Sequence, residues 1–515
     1  MTAVSPPTAT RRARLAEIAA GLLEAPAALE VSDVTLDSRA AGPGTLFLAC
    51  RGQGRHGAQF AGEALARGAA AVLYEPSAGA RELIEAGLKG MARAREVFVA
   101  PVPQLSRQAG IIADRFFGRP SQALTVAGIT GTNGKTTCAW LLAQALTRCN
   151  RPAAYMGTIG FGLPDALAAT EHTTSDAVSV HRRLAQMRAL GAAAVSMEVS
   201  SHALEQERVG GVRFHTAAFT NLTRDHLDYH GTMAAYGAAK ARLFAWPGIA
   251  VRVINVDDEF GARLAGQLSE AQLVSTSRAD ATFAAPPGTK WVRAARVETV
   301  ASGLALEVRS SWGAAKLHVP LIGDFNADNT LTVLAVLLAW DVPLAQAASA
   351  LESCRAAPGR MEAFGGREGA PLAIVDYAHT PDALAKALRA ARRHCRGRLR
   401  VVFGCGGDRD PGKRPIMGRL AAELADEAVV TDDNPRSEAP EKIVREIVAG
   451  IPPDAAARVE HDRALAIRAT LERSGPQDVV LIAGKGHEEY QIYGGERRPF
   501  SDQRVARAAL EAMRP

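Results

Sequence analysis

Short apolar runs, each bounded by glycine, proline or polar clusters, recur along this chain, and most are followed by an amphipathic stretch. Leu124-Thr125-Val126-Ala127-Gly128-Ile129 reads as a buried strand. After a glycine-rich turn, Cys138, Leu141, Leu142, Ala145 and Leu146 recur at i, i+3, i+4, i+7 and i+8, one apolar face of a helix. Residues 193–197 and 216–222 predict further strands, and 233–244 a helix. Beyond Pro358-Gly359, the runs 372–375, 399–403, 428–430 and 479–482 are separated by helix-length segments, the order of a parallel, doubly wound sheet. Between the two, 291–292, 304–308 and 316–321 alternate as in a small antiparallel sheet. The apolar run 331–340 is too short to span a bilayer and reads as a buried helix. Near the start, 34–39 and 45–49 look like short strands around the turn Pro43-Gly44, followed by a helix over 58–67 and a strand over 70–74. With Pro120 and Pro358 as breaks, the expectation is an α/β protein of three domains, 1–121, 122–357 and 358–515.

Composition narrows the class. The 515 residues are 47% hydrophobic and 22% charged, ordinary for a globular protein with ample core. Sixty basic and 54 acidic residues leave a net charge of +6, with no basic tract interleaved with aromatics, so nucleic-acid binding is not indicated. A mildly basic chain still favours an anionic substrate. The six cysteines are scattered, with no Cys-x-x-Cys pair, which suits a reducing cytoplasm and neither a disulfide framework nor a zinc site. Residues 1–14 have no apolar core and do not read as a signal peptide. The expectation is a cytoplasmic protein without membrane insertion, acting as a monomer.

The chemistry centres on Gly128-Ile129-Thr130-Gly131-Thr132-Asn133-Gly134-Lys135-Thr136-Thr137. A strand, a glycine turn and a helix N-terminus make an anion site, because glycines let the backbone wrap closely and N–H groups point at the ligand. Lys135 adds a cation, and Thr136 offers a hydroxyl to Mg²⁺. The strict P-loop spacing is not met, since Ile129 stands where its first glycine would be. Other polar motifs also follow apolar runs, where parallel sheets bind ligands. Glu198-Val199-Ser200-Ser201-His202 follows one, and Asp225-His226-Leu227-Asp228-Tyr229-His230-Gly231 another, placing Glu198 and His226 at equivalent strand ends. An oxygen ligand suits Mg²⁺, and an imidazole beside it suits a less strict site. Asn326 and Asn329 share one face of a first helical turn. Four motifs close the C-terminal strands: Asp376-Tyr377-Ala378-His379-Thr380-Pro381, Gly404-Cys405-Gly406-Gly407-Asp408-Arg409-Asp410, Thr431-Asp432-Asp433-Asn434-Pro435-Arg436 and Gly484-Lys485-Gly486-His487-Glu488. They describe one crevice.

The loop Gly-Thr-Asn-Gly-Lys-Thr resembles that of the Mur ligase and folylpolyglutamate synthetase superfamily, ATP-dependent enzymes that form amide bonds. With Asp37-Ser38-Arg39 and the motifs above, the resemblance runs from Asp37 to Glu488. It points to the branch that adds the third residue of the peptidoglycan peptide. The resemblance implies a small uridine-nucleotide domain, a P-loop-type central ATPase domain carrying a small antiparallel sheet, and a Rossmann-like C-terminal domain. It further implies that meso-2,6-diaminopimelate is joined to UDP-N-acetylmuramoyl-L-alanyl-D-glutamate, with ATP as co-substrate and Mg²⁺ as cofactor. By the same resemblance, Lys135, Glu198, His226, Lys240 and Arg360 are catalytic, and Gly131, Thr132, Asn133, Gly134, Lys135, Thr136, Thr137, Asn326, Asn329, Arg360 and Asp376 bind ATP. Leu36, Ser38, Thr173, Thr174, Ser200, Gln206 and Arg208 take the nucleotide dipeptide. Arg409, Asp433, Asn434, Pro435, Arg436, Gly484 and Glu488 take diaminopimelate. Thr136, Glu198, His226 and Lys240, the last as a carbamate, hold metal. His56-Gly57 departs from the family's usual Asp-Gly in its loop. A folylpolyglutamate synthetase would share the phosphate loop but lack Asp-Ser-Arg and Asp-Asn-Pro-Arg. A non-enzymatic nucleotide binder would need neither Glu198, His226 nor Lys240.

Overall fold

The structure, a computed structural model, describes residues 11–52, 54–89, 97–170, 172–268, 272–278, 286–300, 303–366 and 369–513; most of the N-terminal stretch read above as lacking a signal lies outside them. The chain divides into two compact units, 1–274 with 284–289 and 275–283 with 290–515.

In the first unit, strands β1 (Asp33–Thr35), β2 (Thr45–Ala49), β3 (Ala71–Tyr74) and β4 (Phe98–Pro101) form a parallel sheet in that order. Successive side chains of a strand face opposite ways. Leu46 and Leu48 accordingly join Leu15, Ile112 and Phe116 in one core, and Phe47 and Ala49 join Val72 and Ile84 in another. The strand expected over 34–39 stops at Thr35. Ser38–Ala40 is a 3₁₀ turn instead, because the Asp37 carboxylate accepts from Arg39 N (2.9 Å) and caps it. The helix expected over 58–67 is likewise a 3₁₀ turn, Gly57–Phe60, leading into Ala61–Ala66. His56 caps that turn, its Nδ1 accepting from Ala58 N.

The rest of this unit is built on β5 (Thr125–Thr130), β6 (Ala153–Gly157), β7 (Ala194–Glu198), β8 (Phe214–Phe219) and β9 (Val251–Asn255), parallel in the order β6-β7-β5-β8-β9. Strand β5 is buried from Val126 to Thr130, as a central parallel strand covered on both faces must be. The chain leaves β5 into helix α1 (Lys135–Arg148), reaches β6 and β7 on one side, then crosses to β8 on the other. The loop after β5 thus lies where the strand order reverses, the usual ligand crevice of such sheets. Helix α2 (Met233–Ala241) follows a cap by the Thr232 hydroxyl, and the helix predicted to 244 ends in a 3₁₀ turn.

In the second unit, β10 (Lys290–Val300), β11 (Gly303–Ser310) and β12 (Gly313–Val319) are antiparallel, as their alternation predicted. Helix α3 (Asn326–Ala339) is the buried apolar helix. The doubly wound sheet follows: β13 (Glu362–Gly365), β14 (Leu372–Asp376), β15 (Leu399–Phe403), β16 (Glu427–Val430), β17 (Ala457–Val459) and β18 (Val479–Ala483), in the order β13-β14-β18-β15-β16-β17. Only β13 is antiparallel. Ile374, Val401 and Leu481 pack on one face, and Val375, Val402 and Ile482 on the other. A hairpin of β19 (Tyr490–Tyr493) and β20 (Glu496–Pro499) stands apart from the sheet. At the amino ends of the strands, Arg400 pairs with Glu427 (3.0 Å) and Asp478 (2.7 Å), and Arg473 and Arg458 add to Glu427. The motif-bearing loops occupy the opposite, carboxyl ends.

Candidate active site

The loop from Gly131 to Gly134 is held from beneath by the segment after β8. Thr132 N donates to Asn221 O (2.8 Å), Asn133 N to Asn221 Oδ1 (3.0 Å), and the Thr220 hydroxyl to Asn133 O (2.6 Å). Gly131 has φ 149°, and a Cβ there would lie 1.9 Å from Thr220 Oγ1, so this close approach admits only glycine. Lys135 opens α1 and folds back, its ammonium donating to Gly131 O (2.9 Å) and Thr132 O (2.8 Å). Lys240, on α2 and 1% exposed, donates to the same Gly131 O (2.7 Å) and lies 4.3 Å from the Tyr236 ring centre. Burial, reinforced by the Lys135 charge, pushes the Lys240 pKa down to about 6.

Glu198 ends β7 and is fully buried. Its carboxylate accepts from Thr136 Oγ1 (2.9 Å), Thr158 N (2.8 Å), Thr158 Oγ1 (3.2 Å) and the Tyr155 hydroxyl. Thr158 also donates to Thr173 Oγ1 (3.0 Å), while Thr174 Oγ1 donates to Glu198 O (2.9 Å) and accepts from Ser200 N (3.2 Å). Arg208 donates to Thr174 O and Gln206 Oε1, and Gln206 reaches the Tyr229 hydroxyl (3.0 Å). The predicted set Thr136, Glu198, Thr173, Thr174, Ser200, Gln206 and Arg208 is therefore one connected surface.

His226 departs from the expected position. It lies seven residues past Phe219, the last residue of β8, at the N-cap of a short helix (Leu227–His230) with φ 52°. There its ring sits edge-on to His202 (centroids 4.8 Å), in a cluster with Tyr229, His230 and Tyr236. Among the described residues no group of three His, Cys, Asp or Glu side chains is placed to hold a metal. The donors that fit a hard cation are the Thr136 hydroxyl and Glu198 carboxylate, both oxygens at the head of α1. Lys240 fits such a site only if its nitrogen carries an acidic group.

Leu36 and Ser38 border a separate cavity of about 800 Å³, lined also by Phe60, Asp176 and Arg182. Ser38 Oγ donates to Glu63 Oε2 (2.6 Å), and Arg182 ties the rim together through Asp33 (2.8 Å) and Val34 O (2.9 Å).

In the second unit Asn326 and Asn329 are buried at the start of α3 without capping it, since the N-cap is Phe325. Asn326 Nδ2 donates to Ile322 O (2.7 Å), and Asn329 Nδ2 to Asn326 Oδ1 (2.8 Å). The Asp376 carboxylate accepts from Met361 N (2.8 Å) and Ala378 N (2.9 Å), so it fixes the turn that carries Arg360. Burial pushes the Asp376 pKa up against the pull of Arg360. The Arg360 guanidinium lies 4.8 Å from the Tyr377 ring centre, and burial plus Arg360 push His487 down to about 4.

The loops after β15, β16 and β18 converge. Gly407 N donates to Asn434 O (2.9 Å), and Arg436 NH1 to Gly407 O (2.7 Å). A Cβ on Gly406 would lie 2.8 Å from Arg436 NH1 and 3.8 Å from Arg409 Cγ, so both arginines flank this glycine. Arg436 has φ 55°, a left-handed conformation that costs a non-glycine residue free energy. It is held there by β19: Arg436 N donates to Ile492 O (3.0 Å), and Gln491 Nε2 to Asp432 O and Asp433 O. Asn434 Nδ2 donates to Glu488 Oε2 (2.9 Å). Gly484 has φ 117°, and a Cβ there would lie 2.6 Å from Asp433 Oδ2.

Family models match three stretches: "Mur ligase family, catalytic domain" over residues 30–117, "Mur ligase middle domain" over 129–337, and "Mur ligase, glutamate ligase domain" over 359–486. The UDP-N-acetylmuramoyl-L-alanyl-D-glutamate--2,6-diaminopimelate ligase of Alkalilimnicola ehrlichii is 48% identical over 480 residues, 93% of this chain and 95% of the relative. The chain belongs to the Mur ligase family. The ligase of the same name from Chromobacterium violaceum is 48% identical over 487 residues, 94% of this chain and 95% of its own. A solved structure titled with that name superposes with a TM-score of 0.69 at 34% identity, covering 97% of this chain and 99% of that one.

For a Mur ligase site, the sequence reading left several residues without a role. Tyr155 and Thr158 supply three of the bonds on Glu198. Thr158 stands in the turn Gly157-Thr158-Ile159-Gly160, a usable signal, whereas Tyr155 sits within β6 and has none. Lys485 lay inside a quoted motif, and its burial could not be read from it.

Proposed function

We propose that this Mur ligase joins meso-2,6-diaminopimelate to the D-glutamate side-chain carboxylate of UDP-N-acetylmuramoyl-L-alanyl-D-glutamate at the expense of ATP, the activity classified EC 6.3.2.13. The observation that carries the reading is the converged loop cluster, where Arg409 and Arg436 flank Gly406 and the carboxylates of Asp433 and Glu488 lie beside Asn434. A substrate end bearing both a carboxylate and an ammonium matches that pairing, because arginine binds carboxylates bidentately. The likeness in length and sequence to ligases of that name supports the same reading.

In this reading the first two domain stretches, 1–121 and 122–357, serve the uridine nucleotide and ATP, and 358–515 the amino acid. The cavity at Leu36 and Ser38 takes the nucleotide, and the surface from Thr173 to Arg208 takes the peptide end. The N–H groups of Gly131 to Thr137 and the Lys135 ammonium hold the phosphates. The γ-phosphoryl group passes to a carboxylate oxygen of glutamate, ADP leaves, and an acyl phosphate forms. The amine nitrogen then attacks the acyl carbon, phosphate departs, and the nitrogen loses a proton. Charge stabilisation and positioning dominate such transfers. Thr136 and Glu198 would hold Mg²⁺, which when bound neutralises phosphate charge, and His226 is assigned to the metal on the resemblance alone. Arg360, Asn326, Asn329 and Asp376 are assigned to the nucleotide on the resemblance alone.

Lys240 is proposed to be carbamylated. Its amine is held largely neutral, which attack on CO₂ requires, and the Lys135 cation that disfavours an ammonium there favours a carbamate. We place the enzyme in the cytoplasm, which its six scattered cysteines suit, and take it to act as a monomer. No helix among the described residues is long and apolar enough to cross a membrane.

ADP release measured with both the nucleotide dipeptide and an amino acid tests the function. Release should depend on the dipeptide and be much faster with meso-diaminopimelate than with L-lysine, and Arg436→Ala should lose the first activity while retaining ATP binding. Equal specificity constants for the two amino acids in the unaltered enzyme would overturn the assignment.

A further inference from the structure

Lys485 is fully buried, yet it lies just past the carboxyl end of β18, the end at which parallel sheets bind ligands. Its ammonium is 3.1 Å from Glu488 Oε2, 3.1 Å from Asn434 Oδ1 and 3.8 Å from Asp433 Oδ1, and 5.5 Å from the Tyr490 ring centre. Asn434 closes the ring by donating to the same Glu488 oxygen (2.9 Å), and its own Oδ1 also accepts from Ile492 N (3.0 Å). A buried cation persists only when paired and hydrogen-bonded, and these three residues supply that. The arrangement uses one oxygen of each carboxylate. Among the described residues, no side-chain or backbone donor hydrogen-bonds Glu488 Oε1 or Asp433 Oδ2, and Gly484, lacking a Cβ, lets the latter approach closely.

We propose that Lys485 is a specificity-determining positioning residue, which fixes the number of positive charges the amino-acid site accepts. This rests on the assignment of Asp433, Asn434 and Glu488 to the incoming amino acid. Two carboxylates in one buried site carry two negative charges, and Lys485 cancels one. What remains attracts one substrate ammonium. The adjacent Arg409 and Arg436 take a carboxylate, so the two parts of the site together suit a substrate end that carries one ammonium and one carboxylate. Removing the Lys485 charge makes the site more negative by one. That change favours a substrate whose far end is purely cationic over one whose far end is zwitterionic. Lys485 thus works against L-lysine by holding down the negative charge that would favour a far-end ammonium without a carboxylate, a device of exclusion as well as attraction.

The test compares specificity constants for meso-diaminopimelate and L-lysine in the unaltered enzyme, Lys485→Met, Lys485→Gln and Lys485→Arg, with KM for ATP measured in parallel. In both neutral variants the diaminopimelate-to-lysine ratio should fall on the order of tenfold or more. KM for diaminopimelate should rise while KM for ATP stays constant, and Lys485→Arg should keep most of the ratio. An equal loss for both amino acids makes Lys485 a scaffold residue and overturns the proposal. So does failure of both neutral variants to fold when Lys485→Arg folds. If the unaltered enzyme itself does not prefer diaminopimelate, the functional reading has failed, a result separate from either.

Discussion

Lys135 and Lys240 both place their Nζ on Gly131 O, and the two differ in what each does for the fold. Lys135 is half-buried and donates to two carbonyls of its own loop, so Lys135→Ala should cost about 10²-fold or more in turnover, as loss of a phosphate-binding charge does, with little change in melting temperature. Turnover near normal in that variant would remove the phosphate-loop assignment. Lys240 is buried, and its pKa falls from 10.5 to about 6 on folding. Between those values the unfolded chain holds a proton that the folded chain does not, so stability rises with pH, and the penalty is complete only below about 6. In CO₂-free buffer, urea unfolding at two pH values two units apart within that window should show up to about 2.5 kcal/mol of extra stability at the higher pH, absent from Lys240→Met. With CO₂ restored, Lys240→Ala should be nearly inactive and partly rescued by acetate or formate. An active enzyme with a free amine at Lys240, seen by mass spectrometry, would exclude the carbamate.

At the scale of elements, the hairpin β19–β20 is the clasp of the loop 432–436. Gln491 gives two hydrogen bonds to the backbone of Asp432 and Asp433, and strand pairing holds Arg436 in its left-handed conformation. Gln491→Ala should raise KM for diaminopimelate at least about fivefold, since two hydrogen bonds at about 0.5–1.5 kcal/mol each amount to about 1–3 kcal/mol, and leave KM for ATP unchanged. No change in either would mean that the loop holds itself. The sequence displayed Asp-Asn-Pro-Arg plainly, but not the clasp, because bonds between residues 58 apart leave no periodic trace. Likewise the apolar run 216–222 overran β8. Its last residues leave the sheet, and Thr220 pins the phosphate loop, which carries His226 away from the strand end where spacing alone had placed it. The alternation at Val34 continued into Leu36, but Asp37 is also a good cap, and the local side-chain bond outcompeted the strand. Long parallel runs such as 479–482 were legible because burial on both faces leaves nothing but apolar residues.

At the scale of the molecule, the fold and family were readable because the motifs fall at strand ends whose strands are themselves easy to see. The contact units were not, since no linker composition marks the change near residues 275–290. A ligand that binds only the folded state stabilises all of the structure coupled to its site. ATP with Mg²⁺ at about 100 times its dissociation constant should add about 2.7 kcal/mol to unfolding free energy, visible as a raised melting temperature, and a chelator should cancel most of that gain and all activity. A melting temperature raised equally by ATP in chelator would show that the metal does not share the nucleotide site. In the C-terminal sheet, the ion pairs of Arg400, Glu427 and Asp478 lie at the edge opposite to Asp433, Arg436 and Glu488. What anchors the strands is therefore not what we propose reads the amino acid. Loops at the reading edge can be rewritten for another side chain while the anchoring edge is left alone, so altered selectivity need not be bought with a less stable protein.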